Sequence, residues 1–181
     1  MCLQLISEIN ETLKSENDVD KAHFFFLNGY LSRIKNDDRI YYPACSSENC
    51  KRKVIEDSAG YRCEHCNKTF PSFIPTYMIT ARISDFTESI YVNFAREHGT
   101  SLMGMKAEEF KEFKDTHSEP EVQNYLDSLA FKPFNIMVKG KFEHFNGEHR
   151  MRYFAVKVYP HNVGAENKAL LTRLEMYKTM N

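Results

Sequence analysis

With 181 residues, 42% of them hydrophobic and 13% aromatic, the chain has the composition of one globular domain with a real core, which excludes a disordered segment and leaves little room for two full domains. Its apolar runs, such as residues 24–27, are far too short to span a bilayer, and the opening MCLQLISEIN carries Glu8 and no basic region, so a soluble intracellular protein with no membrane association is expected. The net charge of −1 argues against a uniformly basic nucleic-acid binder, but residues 132–157 hold six Lys/Arg against two acids while residues 106–127 hold seven acids against three lysines.

Leu3, Ile6, Ile9 and Leu13 recur at near-helical spacing and are followed by the polar SENDVDK, which predicts an N-terminal helix and linker over residues 1–22. The run HFFFLNGYLSRI from His23 has strand composition. Two further strands follow where Tyr77, Ile79, Ala81 and Ile83, and then Ile90, Val92 and Phe94, alternate with their neighbours, and residues 85–88 form the turn between them. Residues 101–130 change to helical period, with Pro120 suited to the first turn of a second helix. Residues 134–145 and 150–159 read as strands joined at Asn146-Gly147, a strong hairpin signal, and residues 163–180 read as a closing helix.

Between the first and second strands stand Cys45, Cys50, Cys63 and Cys66, spaced C-x4-C and C-x2-C with twelve residues between the pairs. Two short knuckles at this spacing present four thiolates to one tetrahedral Zn²⁺, and the polar segments around them hold too few apolar residues to keep their own shape. Two disulfides or free buried thiols are the alternatives, and the lack of a secretory signal speaks against an oxidising compartment. Four cysteines close the coordination sphere, whereas a catalytic zinc keeps a position open; neither GxxxxGKS/T nor GxSxG occurs, so the chain reads as non-enzymatic.

Three strands, a helical connection and two strands is the order of the OB-fold, a small Greek-key barrel that often binds single strands. The expected architecture is mainly β with helices: a five-stranded OB-fold barrel over residues 23–160, a zinc ribbon inserted at about 41–73, and a C-terminal helix over 161–181.

The segments YPACSSENCKRKVIEDSAGYRCEHCNKTFPSF, MITARISDF, VNFAREHG, LMG and EHFNGEHRMR, in this order, resemble the C-terminal DNA-binding domain of the large subunit of replication protein A. The resemblance extends to ISEINETLKSE and so covers essentially the whole chain. It implies a nuclear single-stranded-DNA-binding domain with one structural Zn²⁺, assembled with other OB-fold subunits of a heterotrimer through the terminal helix. A ciliate telomerase holoenzyme subunit shares the architecture, so telomeric single strands and telomerase are the partners implied by the paralogue. A module that organises the trimer while hardly binding DNA is the rival reading.

The resemblance also implies stacking positions at Phe94 and Phe145, with positive charge from Lys139, Lys141, Arg150, Arg152 and Lys157. Phe94 shares its strand face with Ile90 and Val92, which equally suits a core position, and Lys139 and Lys141 equally suit a solvated strand face. On the terminal helix, Val163, Leu170, Leu174 and Tyr177 make one apolar stripe for partner helices. The chain has no tryptophan, so a stacking surface common among relatives is missing.

Overall fold

The computed structural model describes residues 4–15, 21–34, 40–145 and 148–180. Its centre is a closed five-strand barrel built from β1 (His23–Ile34), β6 (Ile74–Ser84), β7 (Ser89–Ala95), β8 (Pro133–Phe145) and β9 (Glu148–Tyr159). Closure depends on β1, whose first part pairs with β8 through His23↔Gly140 to Tyr30↔Pro133 while its end pairs with β6 through Tyr30↔Ser84 to Ile34↔Ala81. The strand changes partner across an irregularity between Leu31 and Arg33. A parallel pairing of β7 with β9 completes the circuit, and β2 (Tyr41–Ala44) adds to the far edge of β6.

Strict alternation fixes which side chains face inward. Along β7, Ile90, Val92 and Phe94 are buried while Tyr91 is 55% exposed. Leu27, Leu31, Ile79, Ile83, Ile136 and Val138 complete the barrel interior.

The connection between β7 and β8 forms three short helices, α2 (Glu97–Met103), α3 (Ala107–Thr116) and α4 (Glu119–Ser128), where the periodicity predicted two groups. Gly104, at φ 74°, ends α2 in the left-handed conformation that glycine adopts without steric cost. Pro120 stands in the first turn of α4, as its missing N–H allows. Leu102, Met103, Phe110, Val122 and Leu126 are buried against the barrel, and a Cβ at Gly99 would run into the Cβ of Tyr77.

Helix α1 (Ile6–Ser15) is part of the barrel domain and not a free lead-in: Ile6 and Ile9 are 0% exposed and Leu13 is 2%. Its first N–H groups are satisfied from the β6–β7 turn, Ile6 N donating to Asp85 Oδ2 at 2.7 Å and Ser7 N to Thr87 Oγ1 at 3.2 Å. The linker portion of the 1–22 expectation lies largely outside the described residues, as does the Asn146-Gly147 turn. Helix α5 (Val163–Met180) closes the chain, and no helix among the described residues is long and apolar enough to cross a membrane.

Candidate metal centre and nucleic-acid interface

The inserted segment forms its own small sheet, in which β4 (Gly60–Cys63) lies between β3 (Ile55–Asp57) and β5 (Lys68–Phe70). Its core contains little besides Val54 and three buried thiols, with Tyr61 and Phe73 edge to face at 4.8 Å beside them. The sulfur atoms of Cys45, Cys50, Cys63 and Cys66 all lie within 4.8 Å of one another. Cys45–Cys66 and Cys50–Cys63 are each 3.8 Å apart, so the thiols are free and unbridged. A tetrahedron with metal–sulfur bonds of about 2.3 Å has edges of about 3.8 Å, and this donor set fits a metal of that size.

The four thiols also act on one another's ionisation. Burial opposes ionisation of Cys45, but the Ser47 backbone N–H at 3.5 Å and the neighbouring thiols outweigh it and bring that thiol down to about 7. Cys66, which shares hydrogen bonds with Cys50 and the other thiols, is pushed up to about 12. Four thiolates in so small a volume repel one another, and a positive ion among them offsets that repulsion.

The barrel register arranges the second candidate site. Side chains of paired residues in neighbouring strands share a face, and four pairings align one row across the barrel's outer surface. Lys141 pairs with Arg152, Tyr91 with Arg82, and Arg82 with Arg33, and the parallel β7–β9 register, extended by one residue from Val92↔Tyr153, sets Arg152 beside Tyr91. An adjacent row runs Lys139, Phe154, Asn93 and Thr80. Asn93 is held in place there, accepting from Thr80 Oγ1 at 3.0 Å and donating to the Tyr153 carbonyl at 3.1 Å. An exposed aromatic ring among four cations can stack a planar base and neutralise phosphates on either side of it.

Of the residues expected to bind nucleic acid, Lys139, Lys141 and Arg152 fall in these rows. Phe94 does not: it is 0% exposed in the barrel core, because it follows the inward alternation of Ile90 and Val92, and the stacking expectation for it is corrected. Lys157 stands apart, five residues along β9 from Arg152 with Nζ 4.9 Å from the centre of the Tyr159 ring. The side chains of Phe145 and Arg150 lie outside the described residues, and their backbones pair with Glu148 and Glu143. Tyr91, Arg82, Arg33 and Phe154 were missed, although the alternation that buries Ile90 and Val92 already turns Tyr91 outward.

On α5, Val163, Leu170, Leu174 and Tyr177 are 59%, 44%, 58% and 67% exposed. The helix leans over a groove of about 1520 Å³ whose walls include Phe24, Phe26, Tyr159 and Met176. Two contacts at 3.2 Å lie along it, the ion pair of Arg173 with Glu8 of α1 and the approach of His161 Nε2 to Glu166 Oε2.

Comparison with known proteins accords with this geometry. The probable replication factor A 73 kDa subunit of Caenorhabditis briggsae is 32% identical over 87% of the chain, and the replication protein A 70 kDa DNA-binding subunit of Xenopus laevis is 30% identical over 82%. The chain spans 24% of the length of each of these relatives. Among solved structures, a chain of a replication protein A heterotrimer bound to ssDNA superposes with a TM-score of 0.87, covering 97% of this chain and 40% of that one at 24% identity. A chain of yeast RPA bound to ssDNA superposes at 0.80, covering 98% of both, also at 24% identity, and both likenesses bear on the fold. A family model describing the replication factor-A C-terminal domain matches residues 24–170, nearly all of the barrel, the whole ribbon and the start of the closing helix, and the chain belongs to that family.

Proposed function

We propose that this domain binds single-stranded DNA without catalysing a reaction, as part of a replication protein A-like complex in the nucleus. The observation that carries the reading is the row Lys141, Arg152, Tyr91, Arg82 and Arg33, which crosses all five barrel strands and takes in, at Arg82 and Tyr91, the face of the second and third, the surface through which OB-folds hold oligonucleotides. The ribbon holds one Zn²⁺ through Cys45, Cys50, Cys63 and Cys66, and the ion shapes the ribbon without taking part in chemistry. Phe145 and Arg150, whose backbones belong to β8 and β9, are further contacts that the resemblance implies. Helix α5 joins partner OB-fold subunits through its exposed stripe, with the groove beneath it adding apolar wall.

The test is fluorescence anisotropy of labelled single strands and duplex. Single strands bind and duplex binds far less well, because paired bases hide the faces on which Tyr91 stacks. Mixed-sequence and telomeric-repeat single strands titrated side by side assign the complex. A preference for the repeat above about tenfold, roughly 1.4 kcal/mol, marks a telomerase-associated paralogue, and a smaller one marks the general replication and repair role. Failure of the isolated chain to bind any single strand, with retained binding to partner subunits, would leave an assembly module.

A further inference from the structure

Where the zinc ribbon meets the barrel, the outer face of β6 and β7 does not stop but runs into a groove of about 870 Å³, within the size range of pockets that hold small ligands. Continuity is set by register: Met78↔Ala95 is the outward-facing pair next after Thr80↔Asn93, and Met78 and Ala95 line the groove. Lys51 and Lys53 of the ribbon and Arg96 and His98 at the start of α2 line it too, against a single acid, Glu97. Lys51, Lys53 and Arg96 are exposed and, among the described residues, none of the three makes an ion pair.

Arg96 is the telling residue. Its backbone has φ 53° and ψ −123°, on the side of conformational space that glycine occupies freely and a Cβ-bearing residue does not. The strand holds it there, with Arg96 N donating to the Tyr77 carbonyl at 3.0 Å. A glycine would adopt this backbone without the strain that an arginine carries here, and strained residues cluster where ligands are clamped.

We infer that this groove is a second subsite for the same single strand, in which Arg96 and Lys53 hold backbone phosphates while Met78 and the adjoining tyrosine Tyr42 offer an apolar wall to the base between them. The inference rests on the strand-face reading and lengthens the DNA path from the barrel onto the ribbon. Bridging the groove makes the footprint depend on oligonucleotide length: a strand that covers only the rows around Tyr91 gains nothing from Arg96, whereas a longer one does.

The experiment compares two oligothymidylates, about 5 and about 10 nucleotides long, within the usual range for an OB-fold, against the full chain and its Arg96→Gly, Arg96→Lys and Lys53→Ala variants. The parent should bind the longer strand more tightly. Arg96→Gly should lose affinity for the longer strand about tenfold while keeping that for the shorter one, and its salt slope on the longer strand should fall by roughly 0.7. Its melting temperature should match or exceed the parent's, since the strain is gone, so misfolding cannot account for the loss. Arg96→Lys should restore most of the affinity, and Lys53→Ala should repeat the length-selective loss. Equal parental affinity for the two lengths, or parental affinity of Arg96→Gly for the longer strand, overturns the groove and leaves the strand face standing; no binding by the parent at either length overturns both.

Discussion

Tyr91 and Arg82 are cross-strand partners on the outer face of the barrel, an exposed ring and an exposed guanidinium in one row. Their contributions to binding a single strand should be separable. Tyr91→Ala should weaken binding by about 1–3 kcal/mol with nearly unchanged salt slope, because stacking releases no counterions. Arg82→Ala should lower the slope of log affinity against log salt by roughly 0.7 and weaken all sequences alike. Anisotropy titrations across a salt series measure both, and parental binding by Tyr91→Ala would remove the ring from the interface.

Phe94, two positions from Asn93's neighbour Val92, gives the converse expectation. Truncating a ring that is 0% exposed leaves a cavity, so Phe94→Ala should cost about 3–5 kcal/mol of stability in urea unfolding. Affinity for a single strand, measured on the fraction that stays folded, should be close to the parent's.

The contrast between these residues shows what the sequence made legible. Alternation along β7 marked Ile90, Val92 and Phe94 as one face and Tyr91 and Asn93 as the other, yet periodicity alone does not say which face is inside; only the pairing of β7 with both β6 and β9 decides it. The cysteine spacing was read directly, because four ligands in two knuckles form a local pattern. In the row from Lys141 to Arg33, the turn signals already join Arg82 to Tyr91 and Lys141 to Arg152 as two hairpins, but no local signal brings those hairpins to each other through β7 and β9 or to Arg33 on β1. The docking of α1 was hidden for the same reason, since its first N–H groups are capped by residues about 80 positions away.

Metal removal should act locally. The ribbon has little apolar core of its own, whereas the barrel has a large one, so chelation or Cys63→Ser should release one Zn²⁺ per chain and unfold the ribbon while the barrel persists. Metal analysis together with amide exchange resolves the two. Protein purified free of zinc with a protected ribbon would contradict the assignment.

Helix α5 should carry assembly and not DNA binding. Leu170→Glu with Leu174→Glu places two charges in the exposed stripe. The double variant should no longer co-purify with partner subunits, while its single-strand affinity stays within about twofold of the parent's, a difference of only about 0.4 kcal/mol. Retained association would mean that partners use another surface.

Acid should loosen α1 through Asp85. Burial opposes the charge on this carboxylate, but donors from Thr87 Oγ1 and from the backbone N–H groups of Ile6, Glu88 and Thr87 outweigh it and hold the carboxyl below its ordinary 3.8. A group whose folded-state pKa is depressed contributes stability that is present above the unfolded value and lost as pH falls through the folded one. The loss should therefore set in below about pH 4. Asp85→Ala removes the acceptor that caps α1 and should cost about 0.5–2 kcal/mol at neutral pH. The variant should also show a shallower acid dependence, since the titrating group is gone. Urea midpoints of parent and variant at pH 7 and near pH 3 test both parts, and an unchanged gap between the two proteins at the two pH values would show that the Asp85 charge contributes nothing to holding the helix on the barrel.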